Sequence, residues 1–234
     1  MRLRGILFDK DGTLISFEKT WGPTVGAMIV ALADGDAAKV AAQAAALHFS
    51  MDDLTFLPTS PIIAGSTGQY GLAWAQALQR TDYAKLKEEI DALSAVESLH
   101  ALTPIGAPVE VVAALRALGL KIGVATNDSE ASARRQIEAL GLAELVDFIA
   151  GYDSGHGSKP EPGMVEAFAA WIGAPPSAIA MVGDTLHDLD AARAAGALAI
   201  AVLSGPAGRE VLAPHADHVL EDISGLPGLA AQMI

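Results

Sequence analysis

Cysteine is absent from the 234-residue chain, which excludes disulfides and thiolate metal sites and leaves the redox compartment open. Basic residues are few: 15 Lys and Arg stand against 28 Asp and Glu, a formal net charge of −13. A surface of that sign lacks the basic patch that grips a phosphate backbone, so nucleic acid is not an expected partner. Long apolar runs are missing too. Only Gly5-Ile6-Leu7-Phe8 separate Met1-Arg2-Leu3-Arg4 from Asp9, too few for the apolar stretch of a signal peptide. The uncharged stretch from Leu54 to Gln79 is broken by Pro58, Pro61 and several glycines, so it supplies no membrane span. These absences make a soluble, cytoplasmic protein without a membrane partner the simplest expectation, as a monomer or homodimer.

Apolar residues make up 51% of the chain and its mean hydropathy is +0.35, enough material for a sizeable core and incompatible with disorder. Glycine and proline, 23 and 12 residues, stay below low-complexity levels. The length suits one large α/β unit carrying a smaller insertion.

The organisation changes along the chain. Leu3–Phe8 reads as a short buried strand ending at Asp9-Lys10-Asp11-Gly12-Thr13. Helical patterns follow at 18–32, 36–49, 70–79 and 83–99, rich in alanine, with Asp82 placed as an N-cap and no convincing strand among them. After Pro104, strand and helix alternate. Strands are predicted at 121–125, 146–150, 178–182 and 198–203, and helices at 109–118, 129–140, 162–172 and 188–195. Gly119, Gly141, Gly173 and Gly196 stand where helices should end. The expected fold class is α/β: a Rossmann-like, doubly wound parallel sheet core (residues 1–15 and 101–234) with an inserted all-helical cap domain (16–100).

Polar residues gather where strands end, the place at which open α/β sheets bind ligands. Asp9 and Asp11, two apart at the end of the first strand, point the same way while Lys10 points elsewhere. They could equally form an acidic turn with a helix cap. An EF-hand calcium loop from Asp9 fails on spacing, because Leu14 and Thr20 stand where Gly and Glu are needed. Thr126-Asn127 offers a hydroxyl and an amide at a strand-to-helix turn, a phosphate cradle or an ordinary N-cap. Lys159 lies in Ser158-Lys159-Pro160-Glu161-Pro162, where it is neither a P-loop lysine nor part of a dinucleotide fingerprint. Asp184 and Asp188 are four apart at a helix entry and share one face; carboxylates there also simply stabilise the helix. His187 between them reads as a partly exposed loop residue.

Together these four strand ends resemble the haloacid dehalogenase superfamily of phosphohydrolases. Asp9-Lys10-Asp11-Gly12-Thr13-Leu14, Ala125-Thr126-Asn127, Ser158-Lys159-Pro160-Glu161-Pro162 and Gly183-Asp184-Thr185-Leu186-His187-Asp188 match all four of the family's motifs, and Ala191–Gly196 is also typical. The insertion resembles a C1 cap, as in members similar to phosphoglycolate phosphatase. The resemblance implies catalysis by Asp9 as nucleophile and Asp11 as general acid/base, aided by Thr126 and Lys159. It implies substrate contacts from Thr126, Asn127 and Lys159, and Mg²⁺ bound by Asp9, the main-chain carbonyl of Asp11 and Asp184, with Asp188 nearby. It further implies an aspartyl-phosphate intermediate on a small phosphorylated metabolite, with phosphoglycolate the first guess. Lys19 and Trp21, and Ser66, Thr67 and Gln69, are the candidate specificity residues of the cap.

A phosphomutase similar to β-phosphoglucomutase would keep both aspartates, and a non-catalytic binding protein could retain the fold. A dehalogenase is disfavoured, since Asp11 has no role there. A protein-directed phosphatase is disfavoured by the bulk of the insertion.

Overall fold

The computed structural model describes residues 2–234. The chain opens with β1 (Gly5–Phe8). There follow α1 (Phe17–Ala33), α2 (Ala37–Ala46), a hairpin of β2 (Phe49–Ser50) and β3 (Thr55–Phe56), α3 (Thr67–Ala77) and α4 (Tyr83–His100). The remainder is α5 (Pro108–Ala117), β4 (Lys121–Ala125), α6 (Glu130–Ala139), β5 (Phe148–Ala150), α7 (Gly163–Trp171), β6 (Ile179–Gly183), α8 (Leu186–Ala195), β7 (Leu198–Val202), α9 (Arg209–Leu212), β8 (His218–Leu220) and α10 (Leu226–Ala230).

The six-stranded sheet runs in the order β5-β4-β1-β6-β7-β8 with every pairing parallel. Its strands are apolar on both faces because helices cover both. Ile6 and Phe8 pack with Val124, Val182 and the α5 residues Val112 and Leu115 on one side. Leu7 packs with Met181 and the α7 residue Phe168 on the other. Glycine at 123 permits that second contact: a Cβ there would lie 2.9 Å from the Phe168 ring and 2.8 Å from Leu7. Register places the chemistry. Phe8 is level with Val124 and with Val182, so Asp9, Thr126 and Asp184 all emerge just past the same edge of the sheet. β1 lies between β4 and β6, where the connections diverge and a crevice opens.

A third apolar cluster is drawn entirely from residues 21–90, with Trp74, Met28, Leu86 and Ile90 among its buried members. The β2–β3 hairpin corrects the expectation of helix alone in this stretch. α2 stops at Ala46, His48 turns with φ 49°, and Phe49 meets Phe56 ring to ring at 5.1 Å. Two-residue strands carry too little alternation to be read as a pattern. Asp82 stands at the N-cap of α4 as expected, yet its carboxylate makes no cap bond; it accepts from Arg80 Nε and Nη2 instead. The sixth strand, β8, was not foreseen. Gly119 and Gly196 do close their helices, at φ 84° and 75°. Among the described residues no helix is long and apolar enough to cross a membrane.

β5 starts two residues later than expected, because a side chain replaces main chain in the ladder. Asp147 Oδ2 accepts from Ile122 N at 3.0 Å and from Arg116 Nη1 at 2.8 Å, and Oδ1 from Lys121 Nζ at 3.2 Å. Burial raises this carboxyl's pKa, but the Ile122 amide and the two cations outweigh it and hold the group below the usual carboxylate range. A depressed folded pKa contributes stability above the unfolded pKa and loses it as pH falls through the folded value. Asp147→Asn is therefore expected to cost about 1–2 kcal/mol at neutral pH. Urea titrations should show that gap closing as the pH drops below the ordinary Asp value of about 3.9.

Candidate active site

The end of β1 delivers Asp9 into a buried position. Its Oδ1 lies 2.5 Å from Lys159 Nζ, and the same ammonium donates to Asp188 Oδ1 at 2.7 Å. All three side chains are almost wholly shielded from solvent. Burial pushes Asp9 up to about 7, opposed by the Lys159 charge and reinforced by Asp188 and Asp11. Burial lowers the Lys159 pKa, but Asp188 and Asp9 more than reverse that and hold the ammonium charged.

The loop bearing Lys159 is fixed by Asn127. The Asn127 amide accepts from Lys159 N at 2.8 Å and donates to Lys159 O at 2.9 Å, and its second donor reaches the carbonyl of Ala64 at 2.9 Å. Asn127 had been expected to hold substrate. Its amide lines the cavity, but both donors are occupied, so it positions the lysine loop and the 61–65 loop.

Asp11 carries a different set of partners. Trp21 Nε1 donates to its Oδ1 at 2.5 Å, and Lys10 Nζ lies 2.9 Å from Oδ1 and 2.7 Å from Oδ2. Thr126 Oγ1 approaches Oδ2 at 3.4 Å. Lys10 departs from expectation: strand alternation carries its Cβ away, but the long side chain curls back. It is fully buried between Asp11 and Asp128, whose Oδ2 is 3.2 Å away, and it stacks 5.2 Å from the Trp21 ring. Burial lowers its pKa, and the two carboxylates outweigh that and raise it. The chemistry of a flexible stem, rather than periodicity, decides where such an ammonium ends.

Asp184, at the β6 exit, is buried and accepts from Thr13 Oγ1 at 3.3 Å through Oδ1. Its Oδ2 is buried with no hydrogen-bond partner. Burial pushes its pKa well above the usual range, and Asp9 and Asp188 add to the push. Carboxylate oxygens of Asp9, Asp184 and Asp188 lie within 4.8 Å of one another. Gly12 and Gly205 keep the space around Asp184 open, since a Cβ at either would collide with its carboxylate. An orphaned carboxyl oxygen in an all-oxygen cluster fits a hard divalent cation. Asp188 is more committed: beyond Lys159, its Oδ2 accepts from Thr185 N and Oγ1 at 3.0 and 2.7 Å, capping α8.

Asp9, Asp11, Thr126, Asn127, Lys159 and Asp184 line one cavity, and Asp188 lies behind its wall. Its opposite wall comes from Phe17, Trp21, Ile62, Ile63, Ala64 and Tyr70. Two expectations for that wall are corrected. Lys19 is exposed on α1 and does not line the cavity. Ser66, Thr67 and Gln69 also lie outside the lining, because they build the start of α3: Gln69 Oε1 accepts from Ser66 N at 2.8 Å, and Thr67 Oγ1 pairs with Tyr70 at 3.2 Å. The Ser-x-x-Gln spacing was the available signal for that role. His187 reaches the same loop, with Nδ1 3.1 Å from the Ala64 carbonyl.

The family model for haloacid dehalogenase-like hydrolases matches residues 3–196. The chain belongs to that family. It is a phosphoric monoester hydrolase of the haloacid dehalogenase-like type. The phosphoglycolate phosphatase of Rhodospirillum rubrum is 27% identical over 223 residues, 95% of this chain and 89% of that protein. The probable phosphatase IndB of Dickeya dadantii is 41% identical over 97 residues, 42% of each chain. Among solved structures, a family hydrolase from Deinococcus radiodurans with bound phosphate and sodium superimposes with a TM-score of 0.67 at 21% identity, covering 99% of this chain and 96% of that one. A haloacid dehalogenase-type phosphatase from Thermococcus onnurineus gives 0.63 at 20%, covering 97% of both. At these identities the structural likeness concerns the fold.

Removing the Asn127 amide should loosen both loops it ties. Asn127→Ala is expected to lower stability by about 2–3 kcal/mol in urea unfolding, as three hydrogen bonds go. Hydrogen exchange should accelerate at residues 61–65 and 157–160; unaltered exchange at both would show that the amide is not the tie.

Proposed function

We propose that this hydrolase is a Mg²⁺-dependent phosphatase of small phosphorylated metabolites, working through an aspartyl-phosphate on Asp9. The observation that carries the reading is Asp9 and Asp11 in one cavity, with Asp9 held against the buried Lys159 ammonium and Asp11 held apart by Trp21 and Lys10.

Asp9 attacks phosphorus, the P–O bond to the alcohol breaks, and Asp11 gives its proton to the departing oxygen. Asp11, now a carboxylate, takes a proton from water. That water attacks the phosphoryl group on Asp9, releasing orthophosphate and restoring both carboxyl groups. Lys159 and the Thr126 hydroxyl bind phosphoryl oxygens, and Asp188 keeps Lys159 aimed between its partners. Asp9 and Asp184, with the main-chain carbonyl of Asp11, are the groups that would hold Mg²⁺, and Asp188 sits beside them. When bound, the cation supplies positive charge that offsets repulsion between the Asp9 carboxylate and the phosphate dianion.

In this reading residues 16–100 act as a cap over the sheet core of 1–15 and 101–234. Support comes from the separate apolar cluster of the insertion and from the hydrogen bonds that bring the Ala64 carbonyl to the strand-end residues Asn127 and His187. The proposed setting is the cytoplasm, where small phosphate esters are substrates. Phosphoglycolate, named for the R. rubrum relative, is the first compound to assay.

Orthophosphate release from p-nitrophenyl phosphate tests the reading. Asp9→Asn should lower turnover by about 10⁴-fold or more, the scale of removing a nucleophile. Acid-quenched wild type should carry phosphate on Asp9, and an intact rate in the variant would remove that residue from the chemistry. EDTA should abolish turnover and Mg²⁺ restore it. Asp11→Asn should slow alkyl phosphates far more than p-nitrophenyl phosphate, whose leaving group needs no proton.

A further inference from the structure

The cavity is sharply divided. One end is built by the strand-end residues Asp9, Asp11, Thr126, Lys159 and Asp184. The other end, where the leaving group of a phosphoryl ester would lie, is built by Phe17, Trp21, Ile62, Ile63 and Tyr70 from the insertion. Among the described residues that line it, Lys159 is the one Lys or Arg, and its ammonium is already shared by Asp9 and Asp188. Lys10 is sealed between Asp11 and Asp128 and does not line the space. Lys19 faces solvent. The polar tips on the insertion side are engaged as well: Trp21 Nε1 by Asp11, and the Tyr70 hydroxyl by Thr67. His187 turns Nδ1 to the Ala64 carbonyl.

A carboxylate carried on the leaving group would therefore meet an apolar wall with no Lys or Arg to pair with it. An anion taken from water without a partner is strongly disfavoured. A methyl group in the same place loses nothing and buries apolar surface.

We infer that the substrate is the phosphate monoester of an uncharged alcohol with an apolar body, and not of a hydroxy acid such as glycolate. The inference rests on the phosphatase reading and names the substrate class of that site.

Two matched pairs test it, each replacing a carboxylate by methyl: phosphoglycolate with ethyl phosphate, and 2-phospholactate with isopropyl phosphate. Phosphate release by the purified protein with Mg²⁺ should give kcat/KM values at least about tenfold higher for the uncharged member of each pair. The uncharged alcohols are the poorer leaving groups, so such a preference reflects the pocket. Equal values, or preference for the carboxylates, would overturn the inference while leaving the phosphatase reading intact, provided p-nitrophenyl phosphate is hydrolysed in an Asp9-dependent way. Failure of that control overturns both. Ile63→Arg places a cation on the apolar wall and should raise the phosphoglycolate-to-ethyl phosphate ratio by about tenfold or more. An unmoved ratio in a folded Ile63→Arg protein would sink the charge argument.

Discussion

One buried ammonium organises the centre of this molecule. Lys159 sits between Asp9 and Asp188 with almost no solvent contact, and each charge in the trio is tolerable only because the others are there. The surroundings serve that arrangement. Asn127 clamps the main chain on both sides of the lysine's amide, and Thr185 satisfies the remaining oxygen of Asp188 while starting α8. Parallel register brings all of these strand ends to one level, so a shift of one residue in β1 would turn Asp9 away from Lys159.

A second ammonium, that of Lys10, does the same for the other carboxylate and keeps the two acids chemically distinct. Asp9 faces the buried Lys159 ammonium, in one cluster with the orphaned oxygen of Asp184. Asp11 is pinned from behind by Lys10 and from the insertion by the Trp21 indole. Two aspartates only two positions apart thereby acquire separate environments, as the proposed division into nucleophile and proton carrier requires.

Much of this was readable in advance, because the relevant signals are short-range. Apolar strands, glycine stops and carboxylates at strand ends are local features, and they put Asp9, Asp11, Thr126, Lys159 and Asp184 around one cavity as expected. What escaped depends on contacts between distant segments. The curl of Lys10 onto Asp11 and Asp128 cannot follow from strand alternation, and the use of Asn127 as a clamp requires knowing that residues 64 and 159 lie beside it. β5 was misplaced because Asp147 substitutes a carboxylate for a peptide group. Ser66 and Gln69 were assigned to the pocket although their spacing is that of a helix start. Isoleucines at 62 and 63 carry no chemical signature at all, yet they line the cavity together with the strand-end residues.

The two bonds to Ala64 fall on its carbonyl, donated by Asn127 and met by His187. A fastening that grips only the peptide unit does not depend on the side chain of the half-buried Ile63. Position 63 can therefore change without undoing the clasp, whereas Ile62 is held in the apolar cluster of the insertion and Gly65 has no room for a side chain beside the Pro61 carbonyl.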